Sequence, residues 1–334
     1  MSNSLVFITG ATGFIGSQIA VACLKAGYHV RLSVRREDQI QKLQDTFSEF
    51  SSQLHFVIIS DFTRPDAFVS AVVGVEYVIH VASPMVGKGE DFQKDYIDPA
   101  VRGTLSVLDA AKNVSSIKRV LIMSSILALV PIGTLTGAPN GPSAVKEHSE
   151  DKIHVDVNME LPEGIPGHGI KYQGSKILAH QATADWVEKN KPAFPVLTFH
   201  PSFVTGPSLF QKKPEEIDSI NGLVFNIIRT GVVTIPAVLV DVRDVADTFL
   251  KALSAPVPKF QEFIVSEPAV LWEDVAEIVQ RLYPDSNFQL KPPVGDKFSM
   301  VPEAKAAKEI LGIEWKPLEE VIRGVVDVQL ALGA

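Results

Sequence analysis

Residues 5–16, Leu5-Val6-Phe7-Ile8-Thr9-Gly10-Ala11-Thr12-Gly13-Phe14-Ile15-Gly16, constrain this chain more than any other stretch. The apolar run reads as a buried strand, the glycines as a turn, and Ile15, Ile19, Ala22 and Cys23 as the inner face of a following helix. Such a unit is a phosphate cradle. Gly10 permits the tight turn, Gly13 lets the backbone approach a pyrophosphate, and Gly16 lets the helix pack closely on the strand with its N-terminal N–H groups facing the anion. The apolar strand before it and the helical spacing after it are the context that separates a dinucleotide site from a glycine-rich turn.

The rest of the first half repeats the pattern. Strands are expected at 30–34, 54–59, 77–81, 120–123 and 196–200, and helices at about 37–47 and 95–113 and again from Tyr172 onward. Alternating strands and helices argue for an α/β, Rossmann-type, doubly wound parallel sheet with right-handed crossovers. The second strand opens onto Arg35-Arg36, with Ser33 just before. An acidic residue at that position accepts from the 2′-hydroxyl of NAD, whereas an arginine matches a 2′-phosphate, so the cofactor expected is NADPH/NADP+. Arg36, as the neighbour, is expected to point away from Arg35. At the end of the third strand Asp61 is suited to accept from an adenine amine while Phe62 packs the ring; the alternative is that Asp61 only opens the turn before Pro65. His80 is expected to be a satisfied sheet-end histidine.

The span from Pro131 to Gly169 breaks the rhythm. Gly and Pro recur, acidic residues gather around Glu147-His148-Ser149-Glu150-Asp151, and no period is sustained. Either a lid or disorder suits such a length; a lid over the substrate cleft is the expectation. His148, His154 and His168 lie there with no ligand spacing, so no metal site is expected. Beyond residue 200 the alternation weakens. A short late strand is expected at 263–265 and helices at 272–283, 302–311 and 318–332. The cofactor domain is therefore assigned to 1–200 and about 237–265, and a smaller, mostly helical substrate domain to about 201–236 and 266–334.

With 334 residues, 46% of them hydrophobic, the chain can bury a substantial core. A formal charge of −8 disfavours nucleic acid or an anionic membrane as partner and leaves a small molecule. The single cysteine, Cys23, excludes an intrachain disulfide and is expected to be a buried thiol. No basic leader precedes the first strand and no run reaches the ~18 apolar residues of a membrane span, so a cytoplasmic location is expected. Nothing in the sequence decides between monomer and homodimer.

Ser125 at the end of the fifth strand, followed by Tyr172 and Lys176 four residues apart on one helix face, completes a constellation for carbonyl reduction. Hydride moves from the nicotinamide to the carbonyl carbon, and the developing alkoxide needs a proton and hydrogen-bond donors already in place. Tyr172 supplies the proton. Lys176, together with the charge of the oxidised nicotinamide, is expected to lower the phenol's pKa and also to hold the ribose, while Ser125 orients the carbonyl.

These stretches together resemble the extended short-chain dehydrogenases/reductases, in particular the dihydroflavonol-reductase-like branch with its fungal and yeast ketone and aldehyde reductases. The resemblance is carried by ITGATGFIGSQIA, SVRR, Asp61-Phe62, HVASPM, SSI, YQGSK, HPSFVTGP, VDVRDVA and ILGIEWKPLEEVI, and covers nearly the whole chain. It implies NADP(H) and the Ser125/Tyr172/Lys176 set, in a cleft between a Rossmann domain and a small carboxyl-terminal domain. It also implies cofactor contacts from Thr9, Gly10, Ala11, Thr12, Gly13, Phe14, Ile15 and Gly16, from Arg35, Lys42, Asp61 and Phe62, from Val81, Ala82 and Ser83, and from Pro201, Ser202, Phe203 and Val204. Candidate substrate contacts are Pro84, Met85, Ile126 and Phe203. With the apolar Leu209-Phe210 stretch they suggest a hydrophobic ketone or aldehyde, as in secondary metabolism. Two rivals share parts of this pattern. A nucleotide-sugar epimerase or dehydratase has the same catalytic trio, but the arginine pair and apolar cleft argue against it; a non-catalytic NADP sensor generally lacks the Tyr–Lys pair.

Overall fold

The computed structural model describes residues 4–87, 89–133, 144–149, 152–267, 270–294 and 300–334. Its strands are β1 (Leu5–Thr9), β2 (His29–Val34), β3 (Leu54–Ile58), β4 (Tyr77–His80), β5 (Arg119–Met123), β6 (Ala144–Val145), β7 (Val196–Pro201), β8 (Phe203–Thr205), β9 (Leu239–Asp241), β10 (Phe260–Val265) and β11 (Val301–Pro302). The helices are α1 (Phe14–Lys25), α2 (Asp38–Thr46), α3 (Asp98–Ala111), α4 (Ile165–Asn190), α5 (Ser219–Thr230), α6 (Val242–Ala252), α7 (Trp272–Leu282), α8 (Lys305–Leu311) and α9 (Leu318–Ala331). Seven strands form one all-parallel sheet in the order β10-β7-β5-β4-β1-β2-β3. The order reverses between β1 and β4, and in an open parallel sheet the crevice at that switch point is where ligands bind.

Burial on both faces explains the near-continuous apolar strands. In β1, Val6 and Ile8 join the layer formed with α1, α6 and α8, while Phe7 joins the opposite layer with α3 and the end of α4. Cys23 lies in the first of these layers as a free thiol whose pKa burial pushes up to about 12. A third core unites α5, α7 and α9 around Trp272, away from the sheet. Although α8 falls within 266–334, its Ala306, Ala307 and Leu311 pack into the sheet-side layer. None of the described helices is long and apolar enough to cross a membrane.

Two expectations about local structure need correcting. The helix expected from Asp95 begins instead as a π turn over Phe92–Ile97, started by Asp91, whose carboxylate accepts from the Lys94 N–H; α3 proper follows with Pro99 in its first turn, where a missing N–H costs nothing. The 131–169 excursion ends earlier than expected, because Gly164, at φ 71°, turns the chain and α4 starts at Ile165, so Gly169 and His168 are already helical. Among its described residues, 144–149 pair β6 with β11 and then follow the edge strand β10. The Glu147 carboxylate accepts from the N–H groups of Ile264 (2.8 Å) and Ala306 (3.1 Å), and Glu262 accepts from the His148 N–H. The acidic stretch thus covers a sheet edge. Residues 134–143 and 150–151 lie outside the described residues.

Candidate active site

A cleft of about 490 Å³ opens at the carboxyl ends of β1 and β4, within the size range of small-molecule sites. Gly10, Thr12, Gly13, Phe14, Ile15 and Gly16 form one wall. Gly10 has φ +79°, and a Cβ there would stand 2.8 Å from the Ala82 nitrogen; one on Gly16 would stand 2.2 Å from the Gly10 oxygen. Packing therefore forbids a side chain at both. A Cβ on Gly13 would meet nothing closer than 3.5 Å, so packing does not require glycine there, and what its bare backbone supplies is room on the cleft wall. Thr9 and Ala11 sit behind this wall, both fully buried. The Thr9 hydroxyl accepts from the N–H groups of Val81 and Ala82, 3.1 Å each, and bonds His80 Nδ1 at 2.9 Å, so it fastens β1 to the end of β4. His80, buried and held there, has its pKa pushed down to about 3 by burial.

At the far end of the cleft Arg35 and Phe62 both line the wall, with the guanidinium carbon 5.9 Å from the ring centroid. Arg36 turns away and pairs with Asp38 at 3.0 Å. Gln39, which the sequence does not signal, joins the wall and accepts the Arg35 N–H at 2.9 Å, fixing the turn that presents the arginine. Two expected contacts are not on this wall. Asp61 accepts from the Thr63 N–H and hydroxyl (2.8 and 2.6 Å), the turn-opening role given above as the alternative. Lys42 points its ammonium at the Phe210 ring, 3.9 Å from the centroid, which also removes Phe210 from the expected apolar cleft.

The catalytic candidates converge on the opposite wall. Ser125 lies two residues past the end of β5, and its hydroxyl accepts from the Leu127 N–H at 3.2 Å and shares a hydrogen bond with the Tyr172 phenol. Tyr172 and Lys176 are one turn apart on α4, with the Lys176 ammonium 5.5 Å from the tyrosine ring centroid. Burial pushes the phenol up to about 12 against the pull of the Ser125 hydrogen bond, and pushes the ammonium down to about 8. The expected lowering of the Tyr172 pKa by Lys176 is therefore absent among the protein's own groups: at this separation desolvation of both exceeds their coupling.

Val81, Ala82, Ser83 and the run Pro201, Ser202, Phe203 and Val204 line the cleft, as do Met85 and Ile126; Pro84 does not. Ser33, just before the arginine pair, and Leu127 also line the wall, and further wall residues that the sequence did not mark include Asp218 and Ile220. The last two belong to the segment of weak alternation, which Gln18 ties over α1 by donating to the Pro207 carbonyl at 2.9 Å. None of the described residues 144–164 reaches this cleft, so the expected lid is not formed by them. Two buried hydroxyls on the wall, Ser33 Oγ and Ser202 Oγ, have no hydrogen-bond partner among the described residues. Buried polar groups are normally satisfied, so both fit a polar ligand in the cleft.

Comparison with known proteins places these features in a family. The sequence model of the NAD dependent epimerase/dehydratase family matches residues 6–265. Ketoreductase sphI of Aspergillus fumigatus is 38% identical over 341 residues, covering 99% of this chain and 98% of the relative. Ketoreductase CTB6 of Cercospora nicotianae is 30% identical over 355 residues, with 99% and 96% covered. Among solved structures, yeast methylglyoxal/isovaleraldehyde reductase Gre2 complexed with NADPH superposes with a TM-score of 0.82 at 25% identity, covering 98% of each chain.

Proposed function

The chain belongs to the NAD dependent epimerase/dehydratase family, and from that premise we propose that it is an NADPH-dependent reductase of largely apolar ketones or aldehydes, acting in the cytoplasm. It is an oxidoreductase of carbonyl groups, like the ketoreductases that it matches from end to end. The observation that carries the reading is the meeting, in one cleft, of a glycine cradle with a serine–tyrosine hydrogen bond and a buried lysine.

The chain's own groups fit a nicotinamide dinucleotide. Gly13 leaves space at the start of α1, Arg35 offers a guanidinium on the cleft wall, and Ser33 Oγ and Ser202 Oγ are buried hydroxyls open to a partner. The bound cofactor supplies the hydride that the carbonyl carbon receives. In the proposed reaction Ser125 and Tyr172 hold the carbonyl oxygen between two hydroxyls, and the Tyr172 O–H passes its proton to that oxygen as charge develops there. A phenol pushed up to about 12 is fully protonated at neutral pH and is still a far stronger acid than the alcohol it makes, so burial suits it to the reducing direction. Lys176 keeps positive charge near the phenolate that remains. Met85, Ile126, Leu127, Phe203 and Ile220 give the cleft an apolar character and exclude water from the reacting carbonyl.

The test is consumption of NADPH by the purified protein against a panel of aldehydes, ketones and diketones, with the alcohol identified by mass spectrometry. Turnover of an apolar carbonyl supports the reading; no turnover across the panel, with NADPH bound, rejects it.

A further inference from the structure

The stripe on α4 that carries Tyr172 and Lys176 continues one turn further to His180, a residue the mechanism above does not use. Adjoining the active cleft, and sharing Ser124 and Lys176 with it, is a small pocket with about 20 Å³ for the centre of a water, enough for one molecule. Lys176 lines both this cavity and the active cleft. Its wall is mixed: the hydroxyls of Thr104, Ser124, Thr183 and Thr198 lie among apolar neighbours such as Ala100, Ile122 and Ala179, and Lys176, His80 and His180 line it too. His180 in turn lines a third, outer cavity of about 490 Å³ on the far side, together with Glu262.

The two nitrogens of His180 are differently placed. Nε2 donates to Glu262 Oε1 at 3.1 Å, whereas Nδ1 is buried with no hydrogen-bond partner among the described residues. The neighbouring His200 is fully committed: its Nδ1–H donates to the Ser125 carbonyl at 3.1 Å and its Nε2 bonds the Thr198 hydroxyl at 3.0 Å. Glu262 also accepts from the His148 N–H. Burial works to raise the Glu262 carboxyl, but the hydrogen bond from His180, the two nearby imidazoles and the His148 N–H outweigh it and hold it at about 2. It is thus an anion that faces His180 Nε2. The other charged groups around the outer cavity, Lys146, Lys152 and Asp185, are engaged with Glu303 or with each other.

We propose that His180 is the relay through which Lys176 and Tyr172 recover, from the outer cavity, the proton that each reduction consumes. This rests on the carbonyl-reductase reading above. Each turnover breaks the Tyr172 O–H and forms the alcohol O–H. A Lys176 N–H then breaks as the tyrosine O–H re-forms. The His180 Nδ1–H goes to the water in the small cavity, which gives one of its own protons to the Lys176 amine. His180 is left neutral with Nε2–H on Glu262, and a half-turn of its ring lets solvent in the outer cavity return the proton. Charge and protons balance, and only the hydride comes from the nicotinamide.

The route separates the first turnover from those that follow, because Tyr172 begins with its proton in place. In His180→Gln, single-turnover oxidation of NADPH with enzyme in excess should stay within about twofold of wild type. Steady-state kcat should fall by about tenfold or more, within the range for loss of a proton-transfer group. In His180→Ala, imidazole in the buffer should restore much of the lost kcat through the outer cavity. Lowered single-turnover and steady-state rates together, with no rescue, would show a structural role and overturn the proposal; so would an unchanged kcat, which would mean that the proton returns through the active cleft. A wild-type enzyme that reduces no carbonyl would fail at the earlier reading instead, visible before any variant is made.

Discussion

Arg35→Ala isolates the group expected to choose between the two nicotinamide cofactors. The Arg35 guanidinium stands on the cleft wall 5.9 Å from the Phe62 ring and makes no ion pair among the described residues, whereas its neighbour Arg36 is already spent on Asp38. Removing Arg35 therefore strands no buried carboxylate, and an exposed position of this kind changes stability by no more than about 0.5 kcal/mol. Toward a 2′-phosphate the same side chain offers charge-assisted hydrogen bonds worth ~1.5–3 kcal/mol, or about 10- to 150-fold in affinity. Its exposure puts the effect nearer the lower figure as ionic strength rises. The assay is the KM for NADPH and for NADH in wild type and variant, with the melting temperature as a control. The NADPH value should rise by about that factor, the NADH value should hardly move, and the melting temperature should be unchanged. Equal losses with both cofactors would show that Arg35 supports the fold of the β2 turn, and a wild-type enzyme equally content with NADH would refute the reasoning altogether.

Ser125→Ala should lower kcat by about 10²-fold, the scale of one lost oxyanion donor, with little change in the KM for NADPH. Glu267 gives a stability test: burial, with Asp244 and Asp241 nearby, pushes its carboxyl up to about 8, so between its unfolded value near 4.5 and about pH 8 the folded protein holds a proton that the unfolded chain releases. Stability from this group is present at low pH and is lost as pH rises through that window, so the Glu267→Gln variant should melt a few degrees higher than wild type at pH 8 and about equally at pH 5, as followed by circular dichroism. Gly16→Ala, which drives a methyl to within 2.2 Å of the Gly10 carbonyl, should lose NADPH binding along with stability, whereas Gly13→Ala should lose binding with the fold intact.

What the sequence showed of this architecture came from short-range pattern. Gly10 and Gly16 are visible because the turn and the helix start lie within a few residues of them, and Tyr172 and Lys176 because a four-residue step fixes a shared helix face. The features it hid depend on partners distant in the chain. Lys42 looks like a phosphate ligand until the fold brings Phe210 beneath its ammonium, and Glu147 looks like part of a solvated acidic loop until β10 presents the Ile264 N–H to it. Asp61 is ambiguous for a different reason: the same carboxylate can serve an adenine or its own turn, and Thr63, two residues on, engages its Oδ1 in the turn. His180 carried no signal beyond its place four residues after Lys176. Its neighbours His200 and Glu262 arrive from separate strands, β7 and β10, and only the sheet order makes them a group.

The proposed chemistry stands most directly on Tyr172→Phe. The substitution removes one hydroxyl, keeps the ring against its neighbours and leaves the glycine cradle and Arg35 untouched, so it separates proton donation from cofactor binding. Turnover of a good carbonyl substrate should fall by at least about 10²-fold, while the dissociation constant for NADPH, read from the nucleotide's fluorescence, stays near the wild-type value. A Tyr172→Phe protein that keeps close to wild-type kcat would contradict the assignment of Tyr172 as the proton donor and, with it, the mechanism proposed for this cleft.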